Sequence, residues 1–61
     1  MEQIYKITIF TTEGVIEKDY DNKEKAITTI ENVKKSIEEF MIGILSEKIN
    51  GKWHIVHSIE K

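Results

Sequence analysis

The 61-residue sequence contains no cysteine, no proline and no arginine, and only three glycines and five aromatic residues. Without cysteine there is no disulfide scaffold and no cysteine-ligated zinc module. Without proline there is no collagen-like or proline-rich linker segment. Arginine is the side chain best suited to bidentate contacts with phosphate or guanine. Its absence, with nine lysines against eleven acidic residues and a net charge of -2, disfavours generic duplex binding, which needs a basic stripe. No apolar run approaches the roughly 18 residues of a membrane span. The first residues, Met1-Glu2-Gln3-Ile4-Tyr5-Lys6, lack the basic start and apolar stretch of a secretory signal, so a cytoplasmic location is expected. Lysine as the sole strongly basic residue and twelve isoleucines suit an AT-rich coding sequence of bacterial or phage origin.

What is present is one domain, residues 1–61, with no repeat, linker or low-complexity tract. Ile4–Thr11 is rich in β-branched and aromatic residues and reads as a strand. Thr12-Glu13-Gly14 forms a turn, and Val15–Tyr20 returns as the second strand of a hairpin. Asp21 and Glu24 have the N-cap and N3 spacing of a helix start. Ala26, Ile30, Val33, Ile37, Phe40 and Met41 then share one face at helical periodicity, with Ile27 at its edge. Gly43 suits a helix C-terminus, so a helix is expected over 22–41. Ile44–Ile49 and Lys52–Ile59 flank Asn50-Gly51, whose residues suit the two positive-φ positions of a type I′ hairpin turn.

The order is ββαββ, an α+β arrangement with one helix on a four-stranded sheet. It resembles the β-grasp immunoglobulin-binding domains of streptococcal and peptostreptococcal surface proteins. The matching features are the hairpin in Tyr5–Tyr20, the helix after Asp21, and the hairpin turning at Asn50-Gly51. A right-handed connection and this resemblance both imply strand order 2-1-4-3, with the first and fourth strands parallel at the centre. No binding residue is carried over with the topology.

The Asn50-Gly51 turn sets the register of the second hairpin, pairing Ile49 with Lys52, Lys48 with Trp53, Glu47 with His54, Ser46 with Ile55, and Leu45 with Val56. The expected core face is Tyr5, Ile7, Ile9, Ile16 and Tyr20 in the first hairpin. In the second it is Ile44, Trp53, Ile55, His57 and Ile59. Six apolar residues are left on the opposite face: Ile4, Phe10, Val15, Leu45, Ile49 and Val56. A two-layer fold leaves that face open to water, and a cluster of this size there points to a partner-binding surface.

No catalytic grouping is assembled. His54 and His57, three apart in a strand, are expected on opposite faces and so do not grip one metal. Glu17 and Asp19 share a strand face and read as a solvated edge. The serines lack a nucleophile setting, and no glycine-rich phosphate loop exists. No cofactor, metal or small-molecule substrate is expected. The leading expectation is a non-enzymatic protein-binding or assembly module, either a homodimer or docked on another protein. The alternative is an accessory protein contacting single-stranded nucleic acid through Lys48, Lys52 and Trp53, with Lys6 nearby. Any strand-to-strand pairing is expected at the third strand near Leu45, taken as the less guarded edge.

Overall fold

The structure, a computed structural model, describes residues 4–61; Met1, Glu2 and Gln3, read above only for their lack of a basic start, lie outside it. Strand β1 (Tyr5–Thr11) and strand β2 (Gly14–Tyr20) form the first hairpin, in register from Tyr5 opposite Tyr20 to Thr11 opposite Gly14. The Thr11 hydroxyl donates to the Gly14 carbonyl at 2.9 Å and accepts from the Glu13 amide at 3.1 Å, tying the two-residue loop closed.

Helix α1 spans Lys23–Ser36. Its N-cap is Asn22, one residue after the expected Asp21, and the Asn22 Oδ1 accepts from the Lys25 amide at 3.1 Å. Glu24 in the first turn and Lys34 and Lys35 in the last all complement the helix dipole. The helix ends at Ile37, which is extended and whose amide donates to the Val33 carbonyl at 3.0 Å. The expected end at 41 is therefore too late. Phe40, Met41 and Gly43 belong to strand β3 (Phe40–Ile49). The run Phe40–Leu45 is apolar at every position, which suits a central strand, with apolar neighbours on either side, better than one stripe of a helix.

Strand β4 (Lys52–Glu60) completes the second hairpin. Asn50 and Gly51 adopt φ of 52° and 78°, the turn chemistry read from the sequence. One helix thus packs on a four-stranded sheet, but the order is β2-β1-β3-β4, antiparallel throughout. The expected 2-1-4-3 order with parallel first and fourth strands does not occur. The more apolar strand takes the centre: β3 has buried positions on both faces, whereas β4 is exposed at every residue except half-buried Ile59. The edges are β2 and β4. The expectation that the third strand is a free edge falls with the order.

The buried core is Ile7, Ile9, Ala26, Ile30, Phe40 and Leu45, lined by Tyr5, Tyr20, Ile27, Val33, Ile37 and Ile59. The helix packs chiefly on β3, β1 and β2. Its 14 residues extend about 21 Å at roughly 1.5 Å per residue. The 10 residues of β3 extend about 33 Å at roughly 3.3 Å per residue. One helix of this length leaves the turn end of the second hairpin, and the whole of β4, largely uncovered.

Gly43 sits where helix and sheet approach closest. A Cβ built there would overlap Cγ2 of Ile30 and touch the Phe40 ring at 3.4 Å. Gly43→Ala is therefore expected to lower stability by about 1–3 kcal/mol through overpacking, despite replacing glycine in a strand. In an Ile30→Leu background, which moves the branch off Cβ, the same substitution costs measurably less. Urea unfolding of the four chains in the double-mutant cycle checks this, and additive losses would refute it.

Candidate functional site

Side chains of paired residues share a sheet face, so register fixes which side each faces. Ile7 lies opposite Leu45, and Leu45 opposite His57; with Ile7 and Leu45 both in the core, these belong to the helix side. Across the outer face run four rows. They are Val15–Phe10–Ile42–Glu60, Glu17–Thr8–Ile44–Ser58, Asp19–Lys6–Ser46–Ile55, and Ile4 with Lys48 and Trp53 at the turn end.

Of the six residues expected on this face, Ile4, Phe10 and Val15 are there and exposed, Phe10 at 38% and Val15 at 57%. Leu45 is not: it is 0% exposed and packed beneath the helix. Ile49, paired with Lys52, is exposed but lies on the helix side, beyond the helix. Val56 is exposed and is the extra residue of a β-bulge, because Ser46 pairs with Ile55 while Leu45 pairs with His57. The outer face instead gains Ile42, Ile44, Trp53 and Ile55, three of which were expected in the core. Ile55 is 69% exposed and Trp53 39%. The apolar outer face therefore exists with a different membership. The signal that would have found it is the apolar run Phe40–Leu45, which marks β3 as central and so decides which alternate residues the helix covers.

Trp53 holds the most organised side-chain cluster of this face. The Lys6 ammonium lies 4.5 Å from its ring centroid and the Lys48 ammonium 5.9 Å, both within cation–π range. The Lys48 amide donates to the Ile4 carbonyl at 2.8 Å, which anchors β3 to β1 at this end. Lys6 also faces Asp19 across β1 and β2, so the turn end carries two lysines around an indole while Glu17 and Asp19 line the far edge. Lys52, expected in the same cluster, pairs with Ile49 on the opposite face.

The bulge also alters the histidines. His54 pairs with Glu47 and His57 with Leu45, which places both on the helix side instead of opposite faces. Among the described residues no group of three His, Cys, Asp or Glu side chains could hold a metal ion, and no helix is long and apolar enough to cross a membrane. Tyr5 pairs with Glu47. Its hydroxyl titrates above the ordinary 10.0 because partial burial, the Glu47 carboxylate and a hydrogen bond to it all oppose the phenolate. On the helix flank the Tyr20 hydroxyl donates to Thr29 Oγ1 at 3.0 Å, and that hydroxyl donates to the Lys25 carbonyl at 2.9 Å, fastening β2 to α1.

No known protein family, curated protein or solved structure matches this chain.

Two measurements test the geometry. Trp53 is the sole tryptophan, so its fluorescence reports this cluster alone. Iodide is expected to quench it better than caesium because the two ammoniums concentrate anions, and Lys6→Gln should reduce that difference; an unchanged ratio contradicts the clustering. The raised Tyr5 value means the native state holds this proton more tightly than the unfolded chain. Its contribution is complete below pH 10 and is lost as pH rises through the native value. Tyr5→Phe should therefore shrink the alkaline loss of stability, measured by urea unfolding across the alkaline range; an unchanged loss contradicts the Tyr5–Glu47 pairing.

Proposed function

We propose that this chain is a non-enzymatic protein-binding module that docks through the outer face of its sheet. The observation carrying the reading is the exposed apolar set Ile4, Phe10, Val15, Trp53 and Ile55, with half-buried Ile42 and Ile44 between them, on the side of the sheet away from helix α1. Sheet faces that meet only water alternate toward polar residues, and contiguous exposed apolar patches mark interaction surfaces. The partner this face fits is a protein surface with an aliphatic stripe and acidic residues at one end. The stripe would lie over Phe10, Ile44 and Ile55, and the acidic end would meet Lys6 and Lys48 beside Trp53. Charge at the margin would set orientation and on-rate more than affinity.

A second reading is supported by one specific arrangement, the Trp53 ring with Lys6 at 4.5 Å and Lys48 at 5.9 Å. Single-stranded nucleic acid is bound by aromatic platforms flanked by lysines. The net charge of -2 and the absence of arginine place it second.

The test uses Phe10→Ser and Val15→Ser, both at exposed positions, in affinity capture and in sedimentation. The reading expects each variant to keep its circular dichroism and to lose a protein retained by the wild-type chain. Equal retention by wild type and both variants contradicts it. Salt-sensitive quenching of Trp53 by an oligothymidylate, with no protein partner affected by Phe10→Ser, would favour the second reading instead.

A further inference from the structure

The two sheet edges differ in how they are guarded. β2 presents Glu17, Lys18 and Asp19 in succession, charges that resist strand addition. β4 carries no acidic or lysine side chain from Trp53 to Ile59, and the helix scarcely reaches it. Between its charged ends, Lys52 and Glu60, the guard is the bulge at Val56, a device that ordinarily blocks an edge.

Backbone direction along β4 follows from the hairpin. A two-residue turn is flanked by a hydrogen-bonded pair, so Lys52 bonds inward to Ile49. Its neighbour Trp53 then turns its amide and carbonyl outward. The Lys48 amide, opposite Trp53, donates to Ile4 on the other side, in agreement. Alternation puts Ile55 outward as well. After the bulge, His57 pairs with Leu45 and faces inward, so Ser58 and Glu60 face outward. The Lys61 amide donating to Met41 at 3.1 Å fixes that parity at the far end.

The outward groups are thus Trp53, Ile55, Ser58 and Glu60, spaced two, three and two residues apart. An ordinary strand offers outward groups every two residues and matches only half of this edge. A second copy running antiparallel offers the same spacing reversed, which is identical. We propose that β4 pairs with β4 of a second copy of this chain about a twofold axis between Val56 and His57. Trp53 lies opposite the partner's Glu60 and Ile55 opposite the partner's Ser58, making one eight-stranded sheet. The bulge excludes regular strands and admits its own copy. Both helices fall on one side of the joined sheet, and both outer faces fall on the other. Lys52 meets the partner's Lys61 at the two ends, a repulsion that salt screens, so association strengthens with moderate salt.

The occupant is tested separately from the face reading. Sedimentation equilibrium across a concentration series should give a monomer–dimer equilibrium that moderate salt shifts toward dimer. Amide exchange at Trp53, Ile55, Ser58 and Glu60 should slow with concentration, while Val15, Glu17 and Asp19, whose amides face outward on the β2 edge, do not. Ile55→Pro, which removes only an outward amide, should give a monomer. If that variant unfolds, cysteine pairing decides, since the chain has no native cysteine. Mixed Ile55→Cys and Ser58→Cys chains should join through oxidation or a short thiol linker, because opposed residues lie about 5.5 Å apart, and neither variant alone should do so. A monomer at every concentration overturns the proposal, as does a dimer with unslowed β4 amides. A dimer kept by Ile55→Pro but lost in Phe10→Ser is face-to-face docking and also overturns it. Protection of β4 only on adding an unrelated extended peptide would make the edge a peptide site, not a self-pairing one.

Discussion

Ile30 of the helix rests directly on the backbone of β3 at Gly43, and the layout of the molecule depends on that contact. Any side chain at position 43 would occupy the space of the Ile30 branch, so the helix would have to lift or slide. With the helix seated there, Phe40 and Leu45 on β3 and Ile7 and Ile9 on β1 close around Ala26 and Ile30 as a small dry core. A chain this short buries only about 60% of its unfolded surface. Helix α1 therefore has to cover the two most apolar strands, and β1 and β3 are those strands. What the helix cannot reach stays wet: the outer face, β4, and the turn end of the second hairpin.

This explains both unusual surfaces from one cause. A 10-residue central strand under a 14-residue helix is longer than its cover. On the open face, β3 lies between β1 and β4, whose side chains shelter Ile42 and Ile44 in part. Phe10, Trp53 and Ile55 flank them across the neighbouring strands. Lys6 and Lys48 lay their stems and charges against Trp53, which shields part of the indole at little cost, since amphipathic side chains keep their heads in water. Ile55 remains 69% exposed.

The local signals in the sequence were readable because their causes are local. Asn50-Gly51 at the second turn, Gly14 at the first, the β-branched runs of β1 and β2, and the stripe Ala26–Ile30–Val33 each act within a few residues. Three features were not readable, and each has a non-local cause. Phe40 and Met41 continue the helical period by coincidence, and only the pairing of this segment with β1 and β4 assigns them to β3. Strand order follows from competition between β3 and β4 for the centre, which no window of sequence contains. The bulge at Val56 leaves no mark in the Trp53–Ile59 alternation, yet it moves Ile59 and His57 to the helix side and brings His54 and His57 to one face. The site was legible as a kind of surface, an apolar outer face, and half of its expected membership was wrong because the face of β3 was inverted.

The central claim is that β3, not β4, lies beside β1, since this ordering places Trp53 and Ile55 on the open face and leaves β4 as an edge. Cross-strand nuclear Overhauser contacts in the isotope-labelled protein test it most directly. The account predicts antiparallel contacts between the backbones of Lys6 and Ser46 and of Thr8 and Ile44, with the Lys6 side chain near the Trp53 ring. Parallel contacts between β1 and the Trp53–Ile59 segment, with Trp53 beneath the helix, would contradict it.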